Sequence, residues 1–149
     1  MMGATSNSLS HLSRDQRGGV LVEFALLAPA LLTLLIGVFQ VGVHVQNSNA
    51  LRNLASDGAR WAMVQYQRGN ILTTEQVEMG IFAQGTGPKF NLDENRLDVS
   101  VTQPVSRVAG TSEMTISITY DAPTFLGFID VPELALSYER PVFLLVPGS

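Results

Sequence analysis

A chain of 149 residues has room for one small domain and an accessory segment. Charged residues make up 15% and apolar residues 46%, against about 25% charge in ordinary soluble domains, so a membrane segment is expected before any motif is read. The net charge of −4 argues against a basic face for nucleic acid, and the lack of cysteine excludes disulfides, thiolate metal sites and thiol nucleophiles.

Residues 1–18, MMGATSNSLSHLSRDQRG, form a small, polar leader without apolar periodicity. Arg14 and Arg17, against a single Asp15, stand directly before an apolar run. Positive charge beside a span holds that flank in the cytoplasm, which predicts an N-in, C-out topology. Ala28-Pro29-Ala30 has the small residues of a signal cleavage site, yet it lies mid-run with more lipid-compatible sequence behind it. An uncleaved signal anchor carrying a periplasmic binding or structural domain is the alternative to set against any processing.

Residues 19–45 read as a transmembrane helix. From Val20 to Val45 only Glu23, Gln40 and His44 resist burial, and all three stand towards the ends. Those 26 residues make roughly 39 Å of helix, enough for a hydrocarbon core of about 30 Å. Pro29 has no N–H, so the carbonyl of Ala25 loses its helical donor and a kink or local melting is expected. Gly37 and Gly42 are small spots where a neighbouring helix can approach, or simply glycines of the kind membrane helices tolerate.

Glu23 sits at the mouth of this segment. A carboxylate at mid-span costs about 2.5–3.5 kcal/mol on insertion scales, and less at the edge. A cut between Gly18 and Gly19 would create an ammonium four residues away. A unit charge pair at about 4 Å is worth at most roughly 4 kcal/mol gross at an effective dielectric near 20, so pairing can offset insertion. Complementing the helix dipole, worth about 1 kcal/mol or less, is the other role open to it.

Gly18, then Glu23-Phe24 after four intervening residues, then an apolar helix resembles the processing site of Flp-type (tight-adherence) prepilins. The longer string RGGVLVEFALLAPALLTLLIGVFQVG resembles the signature of the TadE-like family: Arg-Gly, a Val-Glu-Phe-Ala core, and a proline that here stands six residues after the acid. The helical stretch from Asn53 to Ala62 is similar to the family's Ala-rich, Arg-containing continuation. The resemblance covers residues 17–62. It implies a pseudopilin, or minor pilin, of the Tad branch of type IV pili, acting non-enzymatically in assembly of a Tad (Flp) type IVb pilus. It also implies an inner-membrane prepilin peptidase, the Tad assembly platform and other pilins as partners. Gly18, Gly19, Glu23 and Phe24 would form the processing site. Gly19 in place of a bulkier first mature residue leaves the cut after Gly18 or after Gly19.

Residues 46–68 extend the helix beyond the membrane. Leu51, Leu54, Ala55, Gly58, Ala59, Ala62 and Tyr66 recur at three- and four-residue steps and make one apolar stripe. Gly69-Asn70 stops it. Trp61 serves either the domain core or an interface with another subunit, which makes Glu23, Gly37, Gly42 and Trp61 the candidate assembly contacts.

Residues 69–149 read as a small α+β domain. Thr73 or Thr74 caps a short helix ending near Gly85, and Gly85-Thr86-Gly87-Pro88 is loop. Leu97-Val99-Val101 and Met114-Ile116-Ile118-Tyr120 alternate with polar residues at strand spacing, with a turn at Ala109-Gly110-Thr111 between them. A third strand starts at Glu133 and runs past Arg140-Pro141 to Val146. The predicted fold is α+β and pilin-like: a long N-terminal helix and a three- or four-stranded antiparallel sheet whose apolar face the helix stripe covers. Phe125-Leu126-Gly127-Phe128-Ile129, between Pro123 and Pro132, is an apolar loop that either plugs the core or meets a partner or membrane surface.

Catalytic chemistry finds no support. His11 lies in the leader and His44 at the membrane edge, and no Ser/His/Asp set is credible. A membrane-tethered hydrolase using carboxylates is a remote third reading. Asp93, Glu94 and Asp98 lack the spacing of a calcium loop and read as a solvated turn. No enzyme activity, cofactor, metal, nucleic acid or small-molecule substrate is expected.

Overall fold

The computed structural model describes residues 16–125 and 134–145. Most of the leader, Leu126 to Ile129 of the apolar loop, and the last residues expected in the third strand lie outside that range. The described chain divides into two compact units with the border between Phe39 and Gln40. The elements are α1 (Gln16–Gln67), α2 (Thr74–Thr86), β1 (Leu97–Thr102), β2 (Thr111–Ala122) and β3 (Leu134–Leu145). This is an α+β arrangement: a long apolar N-terminal helix followed by a small domain with a three-stranded antiparallel sheet.

The first unit contains the apolar part of α1. The helix passes Pro29 without interruption, so no local melting occurs there. Pro29 still withholds a donor from the carbonyl of Ala25, and Thr33 Oγ1 donates to Pro29's own carbonyl at 2.8 Å. From Gly19 to Phe39 almost every side chain faces outward, and the segment from Gly19 onward is long and apolar enough to cross a membrane.

In the second unit α1 ends as its sequence dictates. Gly69 takes φ +81°, its N–H reaches the carbonyl of Tyr66, and Asn70 N–H reaches that of Gln65. This paired closure satisfies two of the carbonyls that a helix end leaves open. Thr73 then caps α2: its side chain accepts from Gln76 N–H, and the Gln76 side chain accepts from Thr73 N–H, a reciprocal capping box. Helix α2 runs to Thr86 and so takes in Gly85, read above as loop. The reason is tertiary: Gly85 is wedged against Leu54 and Leu97, and a Cβ there would stand 2.7–2.8 Å from both side chains.

The sheet order is β1-β2-β3, with Val99 opposite Ile118 and Ile118 opposite Tyr138. Even-numbered residues of β2 face the helices, and the buried core joins them to Leu51, Leu54, Ala55, Ala59 and Ala62 of α1 and to Val77 and Ile81 of α2. The predicted helix stripe therefore does cover the sheet, with α2 sharing the task. The two helices approach closely at glycines. A Cβ on Gly58 would come within 2.6 Å of Ile81, and one on Gly80 within 2.5 Å of the Trp61 ring.

Both sheet edges are managed. Glu78 of α2 accepts a hydrogen bond from the backbone N–H of Val101 at 2.7 Å, closing part of the β1 edge. On the other edge, β3 continues through Pro141 as one twelve-residue strand, because an edge strand tolerates a missing donor. Arg140 reaches from this strand to Ser56 Oγ of α1 at 2.8 Å.

On the sheet's outer face Glu113, one of the polar residues that alternate with Met114 and Ile116, is nonetheless buried. Its side chain is only 2% accessible, covered by the β1–β2 connection. Arg107 donates its backbone N–H to Oε2 at 3.0 Å and its guanidinium to both carboxylate oxygens, and it also lies over the Phe143 ring at 5.8 Å. The cover is the exposed arginine itself rather than core, so water reaches the pair from that side. These hydrogen bonds, first the side-chain ones and then the backbone one, hold the Glu113 carboxyl below its ordinary value of 4.5. A depressed carboxyl contributes stability that is present above the ordinary value and is lost as pH falls through the lower, folded one. The Arg107 amide should therefore lose hydrogen-exchange protection on acidification, with a midpoint below 4.5, and Glu113→Gln should abolish that step. A midpoint at or above the ordinary value would remove the clamp.

Candidate assembly and processing surface

The residues singled out at the N-terminus are arranged by helix geometry alone. Gly18 and Gly19 lie in the first turn of α1, which starts at Gln16. Glu23 is one turn on from Gly19, and positions four apart share a face about 5–6 Å between Cβ atoms. Glu23 and Phe24 are exposed, and among the described residues Glu23 has no ion-pair partner. A Cβ placed on Gly19, Gly37 or Gly42 would meet nothing within 4 Å. The surface from Gly19 to Phe39 is thus an apolar rod with one carboxylate near its start.

Trp61 stands apart from that group. Its ring is half-buried on Gly80 and packed against the core, with its outer side lining a groove between Arg60 and Lys89. Around the next part of the helix, Gln46, Asn49, Asn53 and Asp57 line an open trough of about 730 Å³, walled by Lys89 and Phe90. The Asp57–Lys89 ion pair at 2.5 Å crosses its rim. Both partners meet solvent, so the pair is worth only about 0–1 kcal/mol. Among the described residues no group of acidic or histidine side chains is placed to hold a metal. Asp93 accepts from Asn95 and contacts Arg96 at 4.0 Å, an exposed turn closed on itself.

One residue of consequence was not singled out by sequence reasoning. Gln40, read only as a polar residue near the end of the span, uses both ends of its amide. Nε2 donates to the carbonyl of Pro123 at 3.0 Å, and Oε1 accepts from Phe125 N–H at 2.8 Å. No local pattern signals a bond between positions more than eighty residues apart.

The fold defines a class of protein in which one long apolar helix, suited to a single-pass anchor, carries a small α+β head. Within that class, residues 18–60 match the family model described as TadE-like protein, as the resemblance implied. That family is a pilin-type structural family rather than an enzyme family. The match begins at Gly18 and ends inside the buried stripe of α1, leaving α2 and the sheet outside it. No curated protein and no solved structure matches the chain.

Proposed function

We propose that this chain is a TadE-like pseudopilin, or minor pilin, that takes part non-catalytically in assembling a Tad (Flp) type IVb pilus. Residues 1–18 would be the leader, 19–45 the span, 46–68 the extension of the helix and 69–149 the head. Arg14 and Arg17 favour an N-in orientation in the inner membrane, with the head in the periplasm. The observation that carries the reading is the family match starting at Gly18, with Glu23 one helical turn beyond Gly19.

Gly18 and Gly19 also suit the backbone to a peptidase. A bond to be cut has to leave the helix, and each glycine lowers helix stability by about 1 kcal/mol relative to alanine. Two of them in the first turn, where the chain already frays, make local unwinding inexpensive. A prepilin peptidase would then release a new N-terminus at Gly19 or Val20. Pilins, the assembly platform and the membrane are the partners that follow.

N-terminal sequencing of the membrane form tests this reading. A terminus at Gly19 or Val20 is expected in the wild type, and Gly18→Leu should leave full-length protein in the membrane. A wild-type chain that keeps Met1 in a peptidase-containing host would make the protein an uncleaved anchor instead. An unaltered mature mass in the Gly18 variant would move the cut elsewhere.

A further inference from the structure

We infer that the segment Pro123–Phe125 is a second membrane contact, a foot that sets the Phe125 ring into the lipid headgroup boundary beside the helix. The inference rests on α1 spanning a bilayer. Val20 to Phe39 are twenty residues, about 30 Å of helix, which matches the thickness of a hydrocarbon core. Counted from Val20, that thickness is filled at Phe39, so Gln40 stands at the outer boundary of the hydrocarbon core. Val41 to Val45, the remainder of the 19–45 span, lie in the headgroup layer. Its amide holds the backbone on both sides of Thr124, donating to Pro123 and accepting from Phe125. A segment bonded at two points to one side chain shares the depth of that side chain to within a few ångströms.

At that depth the foot offers an aromatic ring. Phe125 is 49% exposed, three residues past the end of a strand whose inward residues are buried. An exposed phenylalanine at the interface partitions between headgroups and upper acyl chains, as apolar residues of interfacial segments do. The charges nearby are mixed: Arg96 donates to the carbonyl of Asp121 at 3.2 Å and pairs with Asp93, while Asp121 and Asp93 are both exposed. Among the described residues nothing there selects anionic lipid. The partner is the bilayer surface as such, recognised by apolar insertion.

The chain contains no cysteine, so a single introduced thiol reports one position. The full-length protein with Phe125→Cys, labelled with a small apolar fluorophore, is placed in nanodiscs of zwitterionic phosphatidylcholine with and without bromine high on the acyl chains. Leu31→Cys, read with bromine deep in the chains, is the reference for the span. Val105→Cys, 94% exposed in the β1–β2 connection at the far end of β2, is the reference for water. Quenching at 125 is expected to be several times stronger than at 105, and to fall towards the level of 105 when Gln40→Ala is added. Quenching at 31 without quenching at 125 would overturn the foot and leave the span standing. Quenching at neither would overturn the span and the foot together. Disulfide crosslinking between copies at 125, without lipid quenching, would assign Phe125 to a subunit contact and overturn the inference. Full quenching in the Gln40→Ala background would remove Gln40 as the residue that positions it.

Discussion

Truncating Leu54 to alanine is expected to lower the stability of the second unit by about 2–5 kcal/mol, the range for deleting a fully buried leucine side chain. Leu54 has no accessible surface, and it meets Gly85 of α2 beside Leu97 of β1. The cavity would open where the long helix, the short helix and the sheet all converge. Relaxation into it is restricted, because Gly58, Gly80 and Gly85 already hold the helices at a separation that a single added methyl group would violate. Urea unfolding of a fragment starting at Gln40, the first residue of the compact unit, measures the loss through the fluorescence of Trp61, the chain's one tryptophan. Asn53→Ala on the exposed face should change stability by no more than about 0.5 kcal/mol. If Leu54→Ala also stays within that limit, the stripe belongs to a contact between subunits and not to this core.

The second large effect is expected at Glu23. The carboxylate is exposed on an otherwise apolar surface, one turn from Gly19 and without a partner among the described residues. If the proposed cut leaves Gly19 as the terminus, its ammonium would meet Glu23 of its own chain or that of a neighbour laid alongside. At about 4 Å and an effective dielectric near 20 the gross attraction is roughly 4 kcal/mol, comparable with the cost of about 2.5–3.5 kcal/mol for an acid within lipid. Association at one axial register would then be favoured, because only there do opposite charges meet. Glu23→Gln keeps the size of the side chain and removes its charge. The variant is expected to insert and be cleaved, yet to lose crosslinking to other pilins and to fail in piliation. Normal crosslinking and normal pili would return Glu23 to the role of an ordinary acid at a helix start.

Much of the fold follows from signals only a few residues long. The stripe from Leu51 to Tyr66 announces the buried face of α1 because helical side chains repeat every 3.6 residues. Thr73 with Gln76 marks the start of α2, Gly69 marks the end of α1, and alternation marks the first two strands. Each of these is a backbone requirement met within one or two turns, so composition at that spacing suffices. The N-terminal pattern of Gly18, Glu23-Phe24 and Pro29 is equally local, and it is the part that the family model matches.

What only the tertiary structure decided lies in contacts between residues far apart in the chain. Gly80 looks like a weak point of a short helix until the Trp61 ring is found where its Cβ would be. Gly85 looks like loop until Leu54 and Leu97 close on it. Glu113 alternates as a solvent-facing strand residue, yet the β1–β2 connection folds back and Arg107 covers it. Gln40 looks like the polar end of a span, while its amide in fact grips the chain just after β2. Periodicity tells which face a residue occupies and is silent on what arrives against that face. By itself the sequence determined the elements, the apolar rod and the carboxylate at its mouth, because those depend on neighbours along the chain. The close helix crossing, the clamped carboxylate and the grip of Gln40 on Pro123 and Phe125 depend on neighbours in space, and only the folded chain brings those together.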